Sequence, residues 1–229
     1  MKYVFYCLLL SLFFSCGKDK IIQLPKIDQS NISDITDVSA AYLFYDETMP
    51  DSVELNRKNL ISTTNWLVNV DKRLTLEQAI PKILFIQNKK RNAEIHKNEN
   101  AKNFYTCNDI SIKNLGFIDF TDTYYRTNNA STYLDTIKYD NDQIIKIKIH
   151  SLDSTYVSFI SNDTSFTHTS SNKDLLNHLQ TNLIKDGNAL LITELDKNLS
   201  FQDYITYKSL LTKIKFKNLT LANDEFVFN

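Results

Sequence analysis

The feature that most constrains the fold of this 229-residue chain is a segment that occurs twice. The first copy spans residues 66–80 and the second spans residues 191–205. At one constant offset, the two copies share the identical pairs Asp71/Asp196, Lys72/Lys197, Leu74/Leu199 and Ile80/Ile205, and the similar pairs Thr75/Ser200 and Leu76/Phe201. A duplicated unit, or two units that converged on one geometry, is therefore expected.

Each copy predicts a strand, a turn and a helix in that order. Short apolar runs fill the strand positions, and the Asp-Lys pairs supply turn chemistry. Thr75 and Ser200 are good N-caps, and Gln78 completes a capping box with Thr75. Apolar residues then recur at helical spacing, and Pro81 is expected to kink the first helix because it removes an intrahelical hydrogen bond.

The repeated charged pairs support two interpretations. The first assigns Asp71, Lys72, Asp196 and Lys197 to the turn and the entry of each helix. The alternative assigns the same four residues to contact with a binding partner. Turn chemistry explains them without any ligand, so partner contact is the weaker interpretation.

The N-terminal region has the pattern of a secretory signal. An apolar run over residues 3–14 is shorter than the about 20 residues that a spanning helix needs. The run ends at Ser15 and Cys16, which resemble the lipobox of bacterial lipoproteins, although Phe13 stands where leucine is usual. The resemblance implies that diacylglycerol is attached to Cys16, and the alternative is an ordinary signal peptide with an incidental cysteine.

The residues after Cys16 bear on location. Gly17 and Lys18 follow the cysteine where an aspartate would retain a lipoprotein at the inner membrane. By resemblance to the enterobacterial sorting pattern, this favours the periplasmic side of the outer membrane. The polar residues that follow, to about Ile35, are expected to form a solvated tether.

Composition narrows the possible functions. The formal net charge of −1 predicts no basic face, so nucleic acid is a poor candidate partner. Of the three cysteines, Cys7 lies in the signal and Cys16 carries lipid, which leaves Cys107 without a disulfide partner. With only three glycines, a Gly-rich phosphate-binding loop is excluded, and no cofactor is expected.

The remaining patterns predict an α+β protein. In the first half we expect strands near Ala40 and Val53, a strand over residues 109–120 and a polar linker over residues 121–131. In the second half we expect strands over residues 133–138, 145–149, 156–161, 165–169 and 189–195, a helix capped by Ser171 and stopped at Gly187, a helix over residues 200–213, and a closing strand at either 219–221 or 226–228.

From residue 156 onward, the expected elements of the second half run β-β-α-β-α-β, an order that resembles the periplasmic domain of the ExbD/TolR family of biopolymer-transport accessory proteins. Residues 157–161, 175–183, 189–196 and 204–214 carry this loose resemblance, which covers the C-terminal third. It implies dimerisation and contact with peptidoglycan or envelope proteins. The transmembrane helix of that family, with its proton-carrying aspartate, is absent, so membership of a proton-driven motor is disfavoured.

Catalytic and metal-binding patterns are weak. The four histidines (His96, His150, His168 and His178) lack ligand spacing, and Cys107 is more typical of a small core residue than of a nucleophile. Two acidic pairs, Asp119/Asp122 and Asp140/Asp142, could act as acid and base or hold calcium, but turn chemistry explains the second pair.

We therefore divide the chain into a signal peptide (1–15), a lipidated cysteine with its tether (16–37), an N-terminal α+β half (38–129) and a C-terminal ExbD/TolR-like half (130–229). The expected function is a non-catalytic binding or scaffolding module of the cell envelope, without metal. The alternative is an envelope hydrolase that uses Asp119 and Asp122.

Overall fold

A computed structural model describes residues 20–93, 98–128, 130–136, 141–161, 164–183 and 187–229. The predicted signal peptide, Cys16 and the first tether residues lie outside this range. So do His96, Asp140 and the turn expected at Asn162–Asp163. The described residues form a mixed α/β structure with two mixed sheets and four helices, which is compatible with the α+β class.

The first sheet contains six strands and carries one helix. Its elements are β1 (Lys26–Ile27), β2 (Val38–Tyr45), β3 (Val53–Asn56), β4 (Asn65–Val70), helix α1 (Leu76–Arg91), β5 (Asn103–Asp109) and β6 (Asn114–Asp119). Strands β3, β2, β4, β5 and β6 are successive neighbours, and β2, β4 and β5 run parallel. Strand β1 pairs in parallel with the end of β5.

The second sheet contains six strands and is associated with three helices. Its elements are β7 (Tyr124–Arg126), α2 (Ala130–Thr136), β8 (Gln143–Ser151), β9 (Ser154–Ser161), β10 (Ser165–Ser170), α3 (Leu175–Asn182), β11 (Ala189–Asp196), α4 (Phe201–Leu211) and β12 (Leu219–Phe228). The strand order is β10-β9-β8-β11-β12-β7, with β8, β11, β12 and β7 parallel.

The polarity of each strand follows its place in the sheet. In β8 the predicted alternation is confirmed: Ile145, Ile147 and Ile149 are buried, while Lys146 and Lys148 are half-buried on the other face. Strand β11 lies between two parallel neighbours and is buried on both faces, so its sequence is a nearly continuous apolar run.

The predicted N-caps of the two repeat helices are also confirmed. Thr75 and Gln78 form both bonds of the capping box at the start of α1. The Ser200 hydroxyl accepts a hydrogen bond from the amide of Asp203 at the start of α4. Helix α1 continues past Pro81 to Arg91, because packing of its apolar side on the sheet compensates for the missing hydrogen bond.

The two copies of the repeat meet at their helix starts. Thr75 and Ser200 form an isolated antiparallel bridge. Around it, two pairs of hydrogen bonds are reciprocal: Leu76 N to Leu199 O (2.9 Å) with Phe201 N to Leu74 O (2.6 Å), and Glu77 N to Lys197 O (2.8 Å) with Gln202 N to Lys72 O (3.1 Å). Each bond has its counterpart in the other copy, so the two segments are related by an approximate two-fold axis.

The main apolar core spans both sheets. It includes Val68 and Ile83 from the first half together with Ile147, Leu195 and Ile205 from the second. Because one core is shared, burial of apolar surface stabilises the two halves jointly.

A buried polar chain crosses the same region. The hydroxyl of Tyr105 on β5 shares a hydrogen bond with that of Tyr125 on β7, which lies 2.8 Å from the hydroxyl of Tyr204 on α4. Tyr204 donates to Glu225 on β12 (2.8 Å), and Lys208 forms an ion pair with the same carboxylate (2.5 Å). This chain connects strands of both sheets with helix α4.

Part of the expected tether is packed against the first sheet instead of being solvated. Residues Lys26–Ile27 form β1, and Ile32 forms a bridge with Phe117. Ser30 donates to the Phe117 carbonyl, and its amide donates to Asp109. A side chain at Gly116 would bring its Cβ within 2.6 Å of Ser30 Cβ, so glycine permits this close approach.

Several predicted elements of the body were wrong in type or extent. The described part of the strand expected at 133–138 (residues 133–136) belongs to helix α2, where Tyr133 packs against Phe226 of the second sheet. The expected linker at 121–131 contains β7, and the strand expected at 109–120 is the β5–β6 hairpin. The N-cap position of α3 is Asp174 instead of Ser171, and its side chain makes no capping hydrogen bond. Helix α3 ends at Asn182, before Gly187, and β12 joins both alternatives for the closing strand.

Candidate functional site

A cleft of about 660 Å³ lies between the first helix and the second sheet. Its walls are Leu76, Glu77, Ile80, Pro81 and Leu84 on α1; Thr127, Asn128 and Ala130 before and at the start of α2; and Lys148, Glu194, Lys197, Phe226, Val227, Phe228 and Asn229 on or after the strands of the second sheet. The volume is in the range of about 300–1,000 Å³ that small-molecule sites occupy.

The floor of the cleft is the face of the second sheet opposite the main core. Glu194 on β11 is the registered neighbour of both Lys148 on β8 and Phe226 on β12. Helix α2 covers the adjoining part of this face, where Ala130 packs with Phe226 and Ile192. The uncovered part is therefore left to form the cleft.

The charged groups at the cleft differ in whether they have a partner of opposite charge. Lys197 and Glu77 form an ion pair at 2.9 Å across the two halves, and Lys146 lies 3.8 Å from Glu194. The Lys148 ammonium lies 4.2 Å from the ring centre of Phe228. Within the described part of the chain Lys148 forms no ion pair, so its positive charge is available to a ligand.

A smaller depression of about 240 Å³ adjoins the cleft and shares Lys148 and Glu194 with it. Beside it, the ring of His150 contacts Phe228, with ring centres 5.0 Å apart, and its Nδ1 lies 3.3 Å from Asp196. The exposed end of the second sheet thus carries aromatic and charged side chains over a continuous surface.

Of the four repeated charged residues, Asp71 has a structural role. Its side chain is 0% exposed and accepts hydrogen bonds from Arg73 at both oxygens and from the amides of Gln23 and Arg73. Burial alone would raise the pKa of the Asp71 carboxyl, but these donors outweigh it and hold the pKa below its ordinary value.

The other three residues occupy different surroundings. Asp196 is partly exposed and accepts from the amide and side chain of Asn198. The backbone of Lys72 bonds to Gln23 and to Gln202 at the junction of the halves. Lys197 lines the cleft, so the structure places one of the four residues in position to contact a ligand.

The acidic pair of the hydrolase alternative lies outside the residues that line the cleft. Asp119 accepts hydrogen bonds from the amide and hydroxyl of Thr121 and forms an ion pair with Lys102 at 3.0 Å. Burial raises the pKa of its carboxyl, but the hydrogen bonds from Thr121 and the charge of Lys102 lower it by more. The pKa is therefore below its ordinary value. Asp122 is exposed. Asp119 is thus engaged as an ionised turn residue.

The remaining nucleophile and metal candidates are arranged as follows. Cys107 is buried on β5, and burial raises the pKa of its thiol, which disfavours the thiolate. His168 and His178 lie with ring centres 5.9 Å apart, a proximity that their spacing in the sequence did not indicate. Among the described residues, no group of three or more histidine, cysteine or acidic side chains could hold a metal ion.

Sequence reasoning missed the cleft itself. The predicted helical spacing of apolar residues on α1 includes Leu76 and Ile80, which are buried, but it does not include Leu84, which lines the cleft and is partly exposed. Phe226 and Phe228 alternate at the end of the chain, a strand signal that does not reveal what the outer face meets.

Comparisons with known proteins give no relative: no protein-family model, curated protein or solved structure matches the chain. No helix among the described residues combines the length and the apolar composition needed to cross a membrane.

Proposed function

We propose that this protein is a lipid-anchored, non-catalytic binding module of the bacterial cell envelope, and that the cleft between α1 and the second sheet is its ligand site. The cleft is the observation that carries the proposal. Apolar side chains dominate its walls and a few charged groups line it as well, which is the usual chemistry of a recognition site.

The finer description of the fold belongs to the same proposal. The reciprocal hydrogen bonds about Thr75 and Ser200 support two related halves, each built on a strand–turn–helix unit. The sequence resemblance of the second half to ExbD/TolR periplasmic domains supports envelope proteins or peptidoglycan as partners, and it also supports a homodimer. Nucleic acid is not among the proposed partners.

The anchor is tested at Cys16. In cells fed radiolabelled palmitate, the natural chain should incorporate label and fractionate with the outer membrane. Cys16→Ser should lose the label and leave the membrane fraction, because a lipid chain contributes about 0.8 kcal/mol of membrane affinity per buried methylene. Cys107→Ser is the matched control and should keep the label, since Cys107 is buried. Label retained in Cys16→Ser would exclude this anchor.

The ligand site is tested with 1-anilinonaphthalene-8-sulfonate, an apolar anion that fluoresces when it leaves water. The sample is the intact chain, anchored in lipid nanodiscs without detergent. The dye should bind its folded domain, with the sulfonate near Lys148. Leu84→Trp should weaken binding about tenfold by filling the cleft, a change of about 1.4 kcal/mol.

A matched control exists on the same helix. Phe85 is 50% exposed and is not among the residues lining the cleft, so Phe85→Trp should leave dye binding unchanged. Equal binding by the natural chain and by Leu84→Trp would refute the cleft as the ligand site.

A further inference from the structure

The approximate two-fold axis relates the cleft to a second groove, and that groove is filled by the chain itself. Residues 23–27, which include strand β1, lie there between the start of α4 and the end of β5. Resting on the proposed function, we propose that the cleft binds an extended polypeptide segment of a partner protein.

The filled groove shows how the fold holds an extended segment. The Gln202 side chain on α4 clamps the backbone of Lys26, accepting from its amide at 2.8 Å and donating to its carbonyl at 2.9 Å. The amide of Lys72 donates to the Gln23 carbonyl (2.8 Å), and the amide of Asn108 donates to the Pro25 carbonyl (2.8 Å). These are main-chain contacts, which recognise extended backbone irrespective of its side chains.

Each of these groups has a counterpart at the cleft. In the repeat, Gln202 corresponds to Glu77 and Lys72 corresponds to Lys197. Both Glu77 and Lys197 line the cleft.

The strand end also has its counterpart. Val68 pairs with Tyr105 in the first sheet, and the residue equivalent to Val68, Thr193, pairs with Glu225 in the second. Continuing along both strands, Asn108 corresponds to Phe228. The two strand ends differ in what they pair with. Strand β5 leaves β4 after Tyr105 and pairs with β1, whereas β12 stays paired with β11 as far as Phe228 and Asp196. The cleft therefore shares a helix start and a repeat lysine with the filled groove, and its strand edge is already occupied.

The differences between the two grooves define the ligand. The amide of Lys197 already donates to the Phe228 carbonyl (2.9 Å), so the ligand must bond elsewhere. Gln202 both donates and accepts, whereas the Glu77 carboxylate only accepts. A ligand at Glu77 therefore supplies hydrogen-bond donors, either backbone amides or a basic side chain.

Pro81 adds a further acceptor. In α4 the corresponding residue is Thr206, whose hydroxyl donates to the Gln202 carbonyl at 2.9 Å. In α1, Pro81 has no amide hydrogen, so the Glu77 carbonyl loses its usual helical donor. The side chain and the main chain of Glu77 thus both present acceptors at this end of α1.

The ion pair of Glu77 with Lys197 does not prevent binding. The Glu77 side chain is 58% exposed, and exposed ion pairs contribute at most about 1 kcal/mol, so a ligand can displace this one. Lys148 offers a complementary site for a ligand carboxylate. Leu84 and Phe228, which line the same cleft and are only partly buried, provide apolar contacts for side chains of an extended segment.

The test uses a displayed library of random linear peptides, selected against the intact lipidated chain in nanodiscs. Selection should enrich peptides in which apolar residues alternate and a basic residue lies beside them. Binding of a selected synthetic peptide should weaken about tenfold in Leu84→Trp and in Glu77→Lys, and it should be unchanged in Phe85→Trp. Thermal melts followed by circular dichroism verify that each variant folds. If Leu84→Trp fails to fold, Glu77→Lys still tests the inference.

The outcomes separate this inference from the proposed function. Selected peptides that bind Leu84→Trp and Glu77→Lys as well as the natural chain would overturn the inference. Failure to enrich any peptide, while the fluorescent dye still binds in a manner sensitive to Leu84→Trp, would also overturn it but would leave the cleft as a ligand site for another chemistry. If neither peptide nor dye binds the cleft, both proposals fail.

Discussion

Asp71→Ala is expected to lower the free energy of unfolding by about 2–4 kcal/mol, because it leaves buried amide donors without an acceptor and removes the partner of Arg73. The measurement is urea denaturation of the intact chain, followed by the fluorescence of the single tryptophan, Trp66, which is buried in the first sheet. Circular dichroism should give the same midpoint if the shared core unfolds in one step.

The repeat supplies the matched control. Asp196 occupies the equivalent position, but its side chain is 18% exposed and its hydrogen bonds are with the neighbouring Asn198 and with His150. Asp196→Ala should therefore cost about 1 kcal/mol or less. Equal losses for the two variants would contradict the structural role assigned to Asp71.

The same argument predicts a pH dependence. The pKa of the Asp71 carboxyl is lowered in the folded state, so the folded protein holds this proton less tightly than the unfolded chain does. Its contribution to stability is present above the unfolded pKa of about 4 and is lost as pH falls towards the folded value. The difference in stability between the natural chain and Asp71→Ala should accordingly shrink in acid.

The repeat made the most useful features of the fold predictable. Paired caps at Thr75 and Ser200 are local signals, since a hydroxyl bonds an amide only a few residues away, and both were identified correctly. The alternation along β8 is equally local. What the repeat did not reveal is that its two copies contact each other, because nothing in either copy identifies a partner distant in the sequence.

The errors have one physical source. Residues 133–136 and residues 20–37 are short and weakly periodic, so their conformation depends on the surfaces they meet. Tyr133 packs beside Phe226, and Ile32 pairs with Phe117; neither contact can be inferred from local propensity. The cleft was missed for the same reason, because it is formed by a helix of one half and a sheet of the other.

Asp71 and Asp196 occupy the same position of the repeat but have different roles. Asp71 is covered by the segment around Gln23, which has no equivalent over Asp196 in the described part of the chain. Local sequence fixes the turn at both positions, and tertiary context then makes one aspartate a buried structural group and leaves the other near a surface. Identity within a repeat therefore predicts conformation better than it predicts function.

Glu225→Ala is expected to lower the free energy of unfolding by about 3–5 kcal/mol, through the loss of a buried acceptor that two groups share. Lys208, whose side chain is 12% exposed, would keep a nearly buried charge without its counterion, and the Tyr204 hydroxyl would lose its acceptor. The loss should be measured by urea denaturation with Trp66 fluorescence and circular dichroism in parallel.

A neighbouring buried glutamate provides the comparison. Glu194 on β11 has a side chain that is 11% exposed, but its contact with Lys146 is longer, at 3.8 Å. Glu194→Ala should lower the free energy of unfolding by about 1 kcal/mol. The loss for Glu225→Gln should lie between those for Glu194→Ala and Glu225→Ala, because an amide still accepts one hydrogen bond. A loss for Glu225→Ala no larger than that for Glu194→Ala would show that the polar chain does not hold the halves together.

Three buried tyrosines make the stability of the fold depend on pH in alkali. Burial raises the pKa of Tyr105, Tyr125 and Tyr204 well above the ordinary value of 10.0, and the charge of Glu225 adds to the effect. Above pH of about 10 the unfolded chain releases these protons while the folded chain retains them, so stability falls as pH rises. Tyr125→Phe removes one of these groups and should make that fall less steep, whereas the same change at exposed Tyr156 should leave it unaltered.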